Sequence, residues 1–353
     1  MRVLIVTIPL LFCQIFSLHA MKGRLLLVGG GTERDTPNSW STPAFQWAID
    51  QSINKKALVV HYETESSFYP GYLTSKCGAI AAKNLIINAA NANLQATYDT
   101  IMNYDFIFFR GGDQSQYYTY YNNTKTEQAI KDKFQTGGVI GGTSAGLHIL
   151  SGVIYNAVNQ SILPIEALVN LNGAYPALVD DFFGLFPGYI FDSHVLERGR
   201  FPRSISFITA WYNKTGKKIK TIAVDDLTAM GIDTAETGTA FGTGTVAIYE
   251  SIAKRDGALP TSGKLLLDSI SAISLLNGWK YDFKGKQLVT TTSTINSIPQ
   301  NLETPESIVL LSGADGVLSN KVILKNIVRK YGIAQQSVAI IATTADTSAL
   351  VAY

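Results

Sequence analysis

The sequence is short of cysteine, histidine and charge, and each shortage excludes a class of protein. Its 353 residues include two cysteines, too few for a disulfide-rich scaffold, and its cysteines and four histidines form no metal-binding cluster along the sequence. Charged residues make up 16% of the chain, with 29 basic against 27 acidic side chains and no basic tract, so the concentrated positive face that binds nucleic acid is missing. Without a phosphate loop or cofactor motif either, we expect no metal, no cofactor and no nucleic-acid partner.

The first 20 residues have the pattern of a secretory signal peptide. Met1-Arg2 is a short basic start, residues 3–16 are almost wholly apolar, and the segment ends on Ala20. The apolar run is too short to span a bilayer well. We predict that residues 1–20 are removed and that the protein is secreted or periplasmic, without membrane association afterwards. A buried first strand or a short anchor is the alternative.

Alternating apolar and amphipathic segments predict a doubly wound, mainly parallel α/β sheet. Predicted strands cover 24–31, 57–61, 104–109 and 138–141, predicted helices cover 43–53 and 126–135, residues 79–87 combine helix and strand, and the run after Cys77 indicates a buried helix. Glycine clusters at 29–31, 111–112 and 141–142 follow strands, at the edge where such sheets collect functional groups. The triple glycine lacks dinucleotide-site spacing, so it indicates close backbone approach.

Ser144 has the sequence context of a nucleophile. It lies in Gly-Gly-Thr-Ser-Ala-Gly, directly after a predicted buried strand and before a helical run. Flanking glycines allow a tight turn that lifts Oγ out of the sheet, and a helix N-terminus supplies backbone N–H groups where an oxyanion would form. A simple helix N-cap is the alternative, because serine is common there and the motif departs from Gly-x-Ser-x-Gly at its first glycine.

A serine nucleophile needs a base, and three histidines remain after the predicted signal peptide. His148 is four residues beyond Ser144 on the same predicted helix and would approach from behind, so we expect a packing role. His61 ends a predicted strand near the functional edge and is a weaker candidate. His194 lies at a strand end, before an arginine-rich loop, and is the best candidate base.

An acidic pair, Asp225-Asp226, follows an apolar run and could orient the histidine. Two acids at the end of a buried strand are unusual unless a cation faces them. Either residue fits this role on sequence grounds, and capping of a turn is the alternative.

At these residues the chain resembles the cyanophycinase branch of the serine peptidase family that also holds dipeptidase E, with a class I glutamine amidotransferase-like, flavodoxin-like three-layer fold. The matching motifs, in order, are Gly-Gly-Gly at 29–31, Phe-Arg-Gly-Gly-Asp-Gln at 109–114, Gly-Thr-Ser-Ala-Gly at 142–146, Asp-Ser-His at 192–194, Arg-Gly-Arg-x-x-Arg at 198–203 and Val-Asp-Asp-x-Thr-Ala at 224–229. The resemblance covers roughly residues 24–250.

The resemblance implies a triad of Ser144, His194 and Asp226 and an oxyanion hole at Gly112 and Ala145. It places further residues in the substrate pocket, namely Asp113, Gln114, Ser193, Arg198, Arg200 and Arg203. Two positions depart from the family pattern, which has Gln before the histidine and Glu at the acid; here Ser193 and Asp226 stand there.

The expected function is a secreted serine exopeptidase acting on a polymer with an aspartate backbone and arginine linked through β-carboxyls. Arginines suit such a partner, because guanidinium groups bind carboxylates bidentately. The alternatives are a peptidase for Asp-containing or isoaspartyl dipeptides and a non-catalytic binding protein with the same fold. A homodimer is compatible with the sequence.

The pattern changes after residue 250. Residues 21–250 form the predicted catalytic domain, and residues 251–302 form a predicted extension of short strands separated by Gly and Ser. Residues 303–353 repeat the opening order of an apolar strand ending in Gly, an amphipathic helix and a second apolar strand. This predicts a partial copy of the opening βαβ unit, with coincidence as the alternative.

Overall fold

Short apolar runs form the strands of this chain, and amphipathic segments form its helices. The computed structural model describes residues 21–33, 36, 39–171, 177–252, 256–258, 264–267 and 269–289. The strands are β1 Arg24–Val28, β2 Lys56–His61, β3 Ala81–Ile86, β4 Phe106–Phe109, β5 Val139–Thr143, β6 Ile154–Tyr155, β7 Leu178–Val179, β8 Tyr189–Ser193, β9 Lys220–Val224, β10 Thr228–Ile232, β11 Thr237–Gly242, β12 Val246–Ser251, β13 Asp256–Ala258, β14 Leu265–Leu267, β15 Ile270–Leu275, β16 Lys280–Asp282 and β17 Gln287–Val289. The helices are α1 Thr42–Asp50, α2 Tyr69–Ser75, α3 Gln95–Met102, α4 Gln114–Tyr121, α5 Lys125–Gln135, α6 Ala145–His148, α7 Pro164–Val169 and α8 Phe201–Thr215.

These elements belong to the first of two units, Met1–Ser293; the second is Thr294–Tyr353. The predicted signal peptide at 1–20 and the predicted partial repeat at 303–353 lie outside the described residues. Among the described helices, none is both long and apolar enough to cross a membrane.

A nine-stranded sheet in the order β17-β16-β11-β10-β1-β5-β4-β2-β3 forms the centre of this unit. Five neighbouring strands of this sheet, in the order β1-β5-β4-β2-β3, pair in parallel. Beyond β1, the sheet continues through β10, β11, β16 and β17 by antiparallel pairing. The predicted doubly wound α/β fold is confirmed, and β1 lies where its parallel and antiparallel parts meet.

Helices cover both faces of the parallel part, so its strands are apolar on both sides. Leu25 and Leu27 of β1 point into one core with residues of α4 and α5. Leu26 and Val28 point into the opposite core with residues of α1 and α2. All four leucine and valine side chains are fully buried, which explains the continuous apolar run in the sequence.

A second sheet of four strands, in the order β15-β12-β9-β8, lies beside the first. Its strands β8 and β9 are parallel and are joined by helix α8. With 15 residues, α8 is long enough for the crossover connection that parallel strands require. The later strand β15 pairs with β12 in this sheet, while β16 pairs with β11 in the central one. Residues 270–289 are therefore built into the same two sheets as the residues before 250.

One local prediction is wrong: no helix follows Cys77. Cys77 lies in the bend after α2, and Ala81–Ile86 forms the edge strand β3, paired in parallel with β2. The alanine-rich run has good helix propensity, but the unpaired edge of β2 offers a full ladder of hydrogen bonds, and this tertiary pairing outweighs propensity.

Candidate active site

Three side chains from three separate loops form a hydrogen-bonded chain. Ser144 follows β5, His194 follows β8 and Asp226 lies after β9. His194 Nε2 lies 2.7 Å from Ser144 Oγ, and His194 Nδ1 contacts Asp226 Oδ1. An ionised carboxylate only accepts hydrogen bonds, so Nδ1 carries the proton and Nε2 is free to accept the serine proton. This arrangement can activate a serine hydroxyl for nucleophilic attack.

The carboxyl end of β1 fixes the relative positions of the three loops. Backbone N–H groups donate to three successive carbonyls there: Ser144 to Val28 at 3.1 Å, His194 to Gly29 at 3.2 Å and Leu227 to Gly30 at 2.9 Å. In each loop, the N–H group that donates to the end of β1 belongs to the functional residue itself or to the residue after it. The geometry of the site is set by backbone contacts, independently of the side chains it brings together.

Glycines at the end of β1 make room for this convergence. A Cβ on Gly30 would lie 2.1 Å from His194 Cε1 and 2.7 Å from Asp226 Oδ1. A Cβ on Gly29 would lie 2.0 Å from the Asp225 carbonyl oxygen. These distances are far below van der Waals contact, so the interpretation of the triple glycine as close backbone approach is confirmed.

Ser144 occupies a strained turn at the N-cap position of α6, but its side chain caps no backbone N–H group there. Its backbone has φ 53° and ψ −115°, a conformation that non-glycine residues rarely adopt, and its side chain makes no capping hydrogen bond to α6. The turn needs glycine on both sides: a Cβ on Gly142 would lie 2.2 Å from the Gly146 carbonyl oxygen. The N-cap alternative is therefore wrong. Helix α6 has four residues, so it offers backbone N–H groups but a smaller dipole than the sequence suggested.

The structure separates the roles of the two adjacent acids. Asp225 is buried and accepts hydrogen bonds from Leu196 N–H at 3.1 Å, Thr245 N–H at 2.9 Å and Thr245 Oγ–H at 2.6 Å. It ties the loop after His194 to the strand-linking turn before β12. Asp226 makes the contact with His194 although its side chain is one methylene shorter than glutamate.

A cavity of about 410 Å³ lies beside Ser144. Residues singled out by the sequence line most of it, namely Gly112, Asp113, Gln114, Ala145, Ser193, Arg198, Arg200 and Arg203. Sequence reasoning missed the rest of the wall, which consists of Ser115, His148 and residues 157–161. The loop 157–161 carries no motif, and only its place in the fold shows that it borders the site. In the described ranges, no group of three His, Cys, Asp or Glu side chains is placed to hold a metal.

The two predicted oxyanion-hole residues line the same cavity as Ser144. Ala145 follows it directly and begins α6. The loop that carries Gly112 passes so close that a Cβ on Gly111 would lie 3.3 Å from Ser144 Cβ and 3.9 Å from Ser144 Oγ. Asp113, expected in the substrate pocket, accepts a hydrogen bond from Ser115 N–H at 2.8 Å and so caps α4.

The three predicted arginines have different surroundings. Arg198 is exposed. Arg200 donates from Nη1 to the Ser193 carbonyl oxygen at 3.0 Å, and burial lowers its pKa to about 10, so the guanidinium stays charged at neutral pH. Arg203 is buried and pairs with Asp192 through Nη2 and, at 3.2 Å, through Nε. The cations that face the cavity with freedom to meet a substrate are therefore Arg198 and Arg200, whereas Arg203 belongs to a buried ion pair.

That ion pair holds the strand that leads to His194. Burial on its own would raise the pKa of Asp192, but the charge and hydrogen bonds of Arg203 outweigh it, and the pKa is lowered. Ser204 Oγ donates to the same carboxylate at 2.8 Å, and the guanidinium lies 5.5 Å from the Tyr155 ring centroid. The sequence placed Asp192 inside a motif without giving it a role.

The other two histidines of the described residues make no hydrogen bond to Ser144 Oγ. His148 is buried and its Nε2 lies 3.1 Å from Ser193 Oγ; burial lowers its pKa to about 3, so it is neutral. This agrees with a packing role and shows that the Ser193 hydroxyl is engaged with His148. His61 Nε2 lies 3.1 Å from the Gly111 carbonyl oxygen, which removes His61 as a candidate base.

We expect hydrolysis to have an acid limb at a pH below 6.5. Burial lowers the pKa of His194 below its ordinary value of 6.5; Asp226 opposes this shift, and the charges of Arg198 and Arg200 add to it. A general base works only when unprotonated, so activity falls as the pH drops through this pKa. Because Arg198→Ala removes a nearby positive charge, it should move the limb to higher pH. The measurement is the pH profile of kcat/KM for both proteins.

Lys55→Ala is the matched control, because Lys55 is a cation at the opposite end of β2, paired with Asp50. Its limb should coincide with that of the wild type. A limb that Arg198→Ala leaves in place would contradict the assignment of His194 as the titrating base.

Comparisons with known proteins agree with this geometry. The model of peptidase family S51 matches residues 25–237. The chain is 27% identical over 145 residues to the cyanophycinases of Synechococcus elongatus and Thermosynechococcus vestitus, and this match spans 41% of the chain and 41% of each relative. A crystal structure of a peptidase from an acI-B1 Actinobacterium shares the fold at 18% identity and a TM-score of 0.50, covering 72% of this chain and 98% of that one. The family match spans more than half of the chain and all three residues of the hydrogen-bonded chain, so this protein belongs to peptidase family S51.

Proposed function

We propose that Ser144 forms an acyl-enzyme with the carbonyl carbon of a peptide bond, with His194 as general base and Asp226 as its orienting acid. The observation that carries this proposal is the continuous hydrogen-bonded chain from Asp226 through His194 to Ser144 Oγ at the edge of the cavity. The serine proton passes to His194 Nε2 as Oγ bonds to the carbonyl carbon. The negative charge then develops on the carbonyl oxygen, beside the backbone N–H groups of Gly112 and Ala145.

The same proton completes the first half of the reaction. His194 donates it to the leaving nitrogen as the C–N bond breaks, which leaves an ester on Ser144. Water then attacks the ester carbonyl carbon as His194 accepts its proton; the C–Oγ bond breaks, His194 returns the proton to Ser144 Oγ, and the carboxylic acid product leaves. Each step uses the two contacts that the structure provides to His194.

We propose aspartate-rich peptide material, with β-aspartyl-arginine polymer as the first candidate, as the substrate. Arg198 and Arg200 place positive charge on one wall of the cavity, and guanidinium groups bind carboxylates bidentately. A volume of about 410 Å³ is near the lower end for small-molecule sites, which suits the end of a chain better than its middle. The relatives named cyanophycinase support this choice of polymer. The composition of residues 1–20 supports secretion.

Two substrate classes need to be compared directly. Purified protein is incubated with β-aspartyl-arginine polymer and, separately, with Asp-containing and isoaspartyl dipeptides, and products are followed by mass spectrometry. We expect release of dipeptides from the polymer. Cleavage of the small dipeptides alone would replace the polymer with the second candidate, which Ser193 favours because it stands where the family has a glutamine amide and its hydroxyl is bound to His148.

Arg200→Ala should impair binding of an aspartate-rich substrate more than the chemical step. A charge-assisted hydrogen bond contributes about 1.5–3 kcal/mol, so its loss should raise KM roughly 10- to 100-fold. The contact exists in both the ground state and the transition state, so kcat should change much less. Hydrolysis of a neutral ester, which has no carboxylate to bind, is the control. Equal losses on both substrates would show that Arg200 acts by holding Ser193 instead.

A further inference from the structure

His61 is locked into one tautomer by the turn that follows it. Its ring lies at the end of β2 and is buried. Nδ1 accepts hydrogen bonds from the backbone N–H groups of Glu63 at 3.1 Å and Thr64 at 3.0 Å. A nitrogen that accepts two N–H donors cannot carry a proton, so the proton of the neutral ring is on Nε2. Nε2 therefore donates to the Gly111 carbonyl oxygen, 3.1 Å away.

Tyr62 holds the other side of the same loop. Its hydroxyl oxygen accepts a hydrogen bond from Asp113 N–H at 2.8 Å. The His61 and Tyr62 rings stack with centroids 4.2 Å apart, and the Tyr62 ring packs edge-on against Tyr117 at 5.0 Å. The peptide units before and after Gly112 are thus each bound to one ring of a stacked pair.

Gly112 lies directly on these two rings. A Cβ there would be 2.5 Å from the Tyr62 hydroxyl oxygen and 3.2 Å from His61 Nε2, and the residue has φ +143°, which only glycine adopts readily. Burial lowers the pKa of His61, and the charge of Arg110 adds to the shift, so the ring keeps its neutral, donating form at neutral pH. Rotation of the Gly112 peptide would break contacts on both sides.

We propose that His61 and Tyr62 are positioning residues that hold the Gly112 N–H at the angle needed to stabilise the oxyanion beside Ser144. This inference rests on the proposed function, because a fixed position of the loop 111–113 matters for catalysis only if Gly112 belongs to an oxyanion hole. Rigid placement matters there because donors in an oxyanion hole act only when they are aimed before the charge develops. Neither ring touches the reacting atoms, so both act through the loop 111–113.

Two substitutions at position 61 test the acceptor Nδ1 and the donor Nε2 of His61 separately. In His61→Asn, the amide oxygen can replace Nδ1 as the acceptor for the turn, but no donor reaches Gly111. In His61→Gln, the longer amide can place its N–H₂ group near the position of Nε2 and restore that donor. Tyr62→Phe removes the acceptor for Asp113, and Tyr98→Phe, which loses a hydroxyl contact to Asp132 away from the cavity, is its matched control.

We expect His61→Asn and Tyr62→Phe to lower kcat at least tenfold, short of the roughly 10²- to 10³-fold loss that follows removal of a whole oxyanion donor. KM should change less than threefold, because the substitutions leave the contacts that bind the substrate in the ground state in place. His61→Gln should recover most of the lost kcat, and Tyr98→Phe should match the wild type. Amide hydrogen exchange at residues 111–113 should rise in the two impaired variants alone.

Unchanged kcat or unchanged exchange in folded His61→Asn and Tyr62→Phe would overturn the inference. A loss of kcat in His61→Asn that His61→Gln does not recover would also overturn it. Such a loss would not depend on the Nε2 donor and would indicate a structural defect only. Failure of the proposed function is a different result: the wild type itself would then show no hydrolysis and no covalent reaction at Ser144.

Discussion

Ser144→Ala is expected to abolish hydrolysis while leaving the fold intact. The hydroxyl bonds to His194 and makes no cap to α6, so its loss removes no structural contact beyond the one it makes with the base. Alanine keeps the β-carbon, and the strained turn is fixed by glycines and by the bond from Ser144 N–H to Val28. Removal of a serine nucleophile costs about 10⁴- to 10⁶-fold in kcat. The measurement is kcat on the substrate established for the wild type, with thermal melting of both proteins.

Ser115→Ala is the control for this prediction. Ser115 borders the same cavity and supplies a backbone N–H to Asp113, a contact that the substitution preserves. Its kcat should stay within a few-fold of the wild type. A Ser144→Ala protein that keeps more than a few per cent of wild-type activity would mean that another group attacks the substrate.

His194→Ala should be almost as damaging, whereas His148→Ala should mainly reduce stability. His194 contacts both Ser144 and Asp226, so its removal takes away the base and isolates the acid, a loss of about 10⁴-fold or more in kcat. His148 contacts Ser193 and is buried and neutral. Its replacement leaves the Ser193 hydroxyl without that partner and costs about 1–3 kcal/mol of unfolding free energy. The measurements are kcat and urea denaturation for both variants.

The opposite result would make His148 the base and His194 the packing residue. An active His194→Ala protein beside a folded but inactive His148→Ala protein would show that the base approaches from α6. Imidazole added to His194→Ala offers a further check, because a free base small enough to enter the cavity should restore part of the rate.

Ser144 and His194 could be selected as candidates from the sequence because each stands at the end of a predicted strand. Their meeting does not follow from the edge of one parallel sheet, because β5 belongs to the nine-stranded sheet and β8 to the four-stranded one. The triple glycine was informative for a related reason, since a backbone without Cβ indicates that something approaches closely. What approaches Gly30 is the His194–Asp226 pair itself.

The division of labour between neighbours could not be predicted. Residue spacing leaves Asp225 and Asp226 equivalent, and only the family resemblance pointed to Asp226; in the structure Asp225 contacts Thr245 and Asp226 contacts His194. Arg203 matches the substrate-binding motif, yet α8 begins at Phe201 and turns it inward against Asp192. Such outcomes depend on side-chain direction within a helix or turn, which spacing along the sequence does not encode.

The most direct test of the central claim, that this chain is a serine peptidase with Ser144 as nucleophile, is covalent labelling with a fluorophosphonate followed by mass spectrometry of the digested protein. An activated serine attacks phosphorus and expels fluoride, so the adduct marks the nucleophile without any assumption about the substrate. We expect one adduct, on Ser144, which is absent from Ser144→Ala and strongly reduced in His194→Ala. A folded wild-type protein that gains no adduct, or that gains it on a different residue, would contradict the claim.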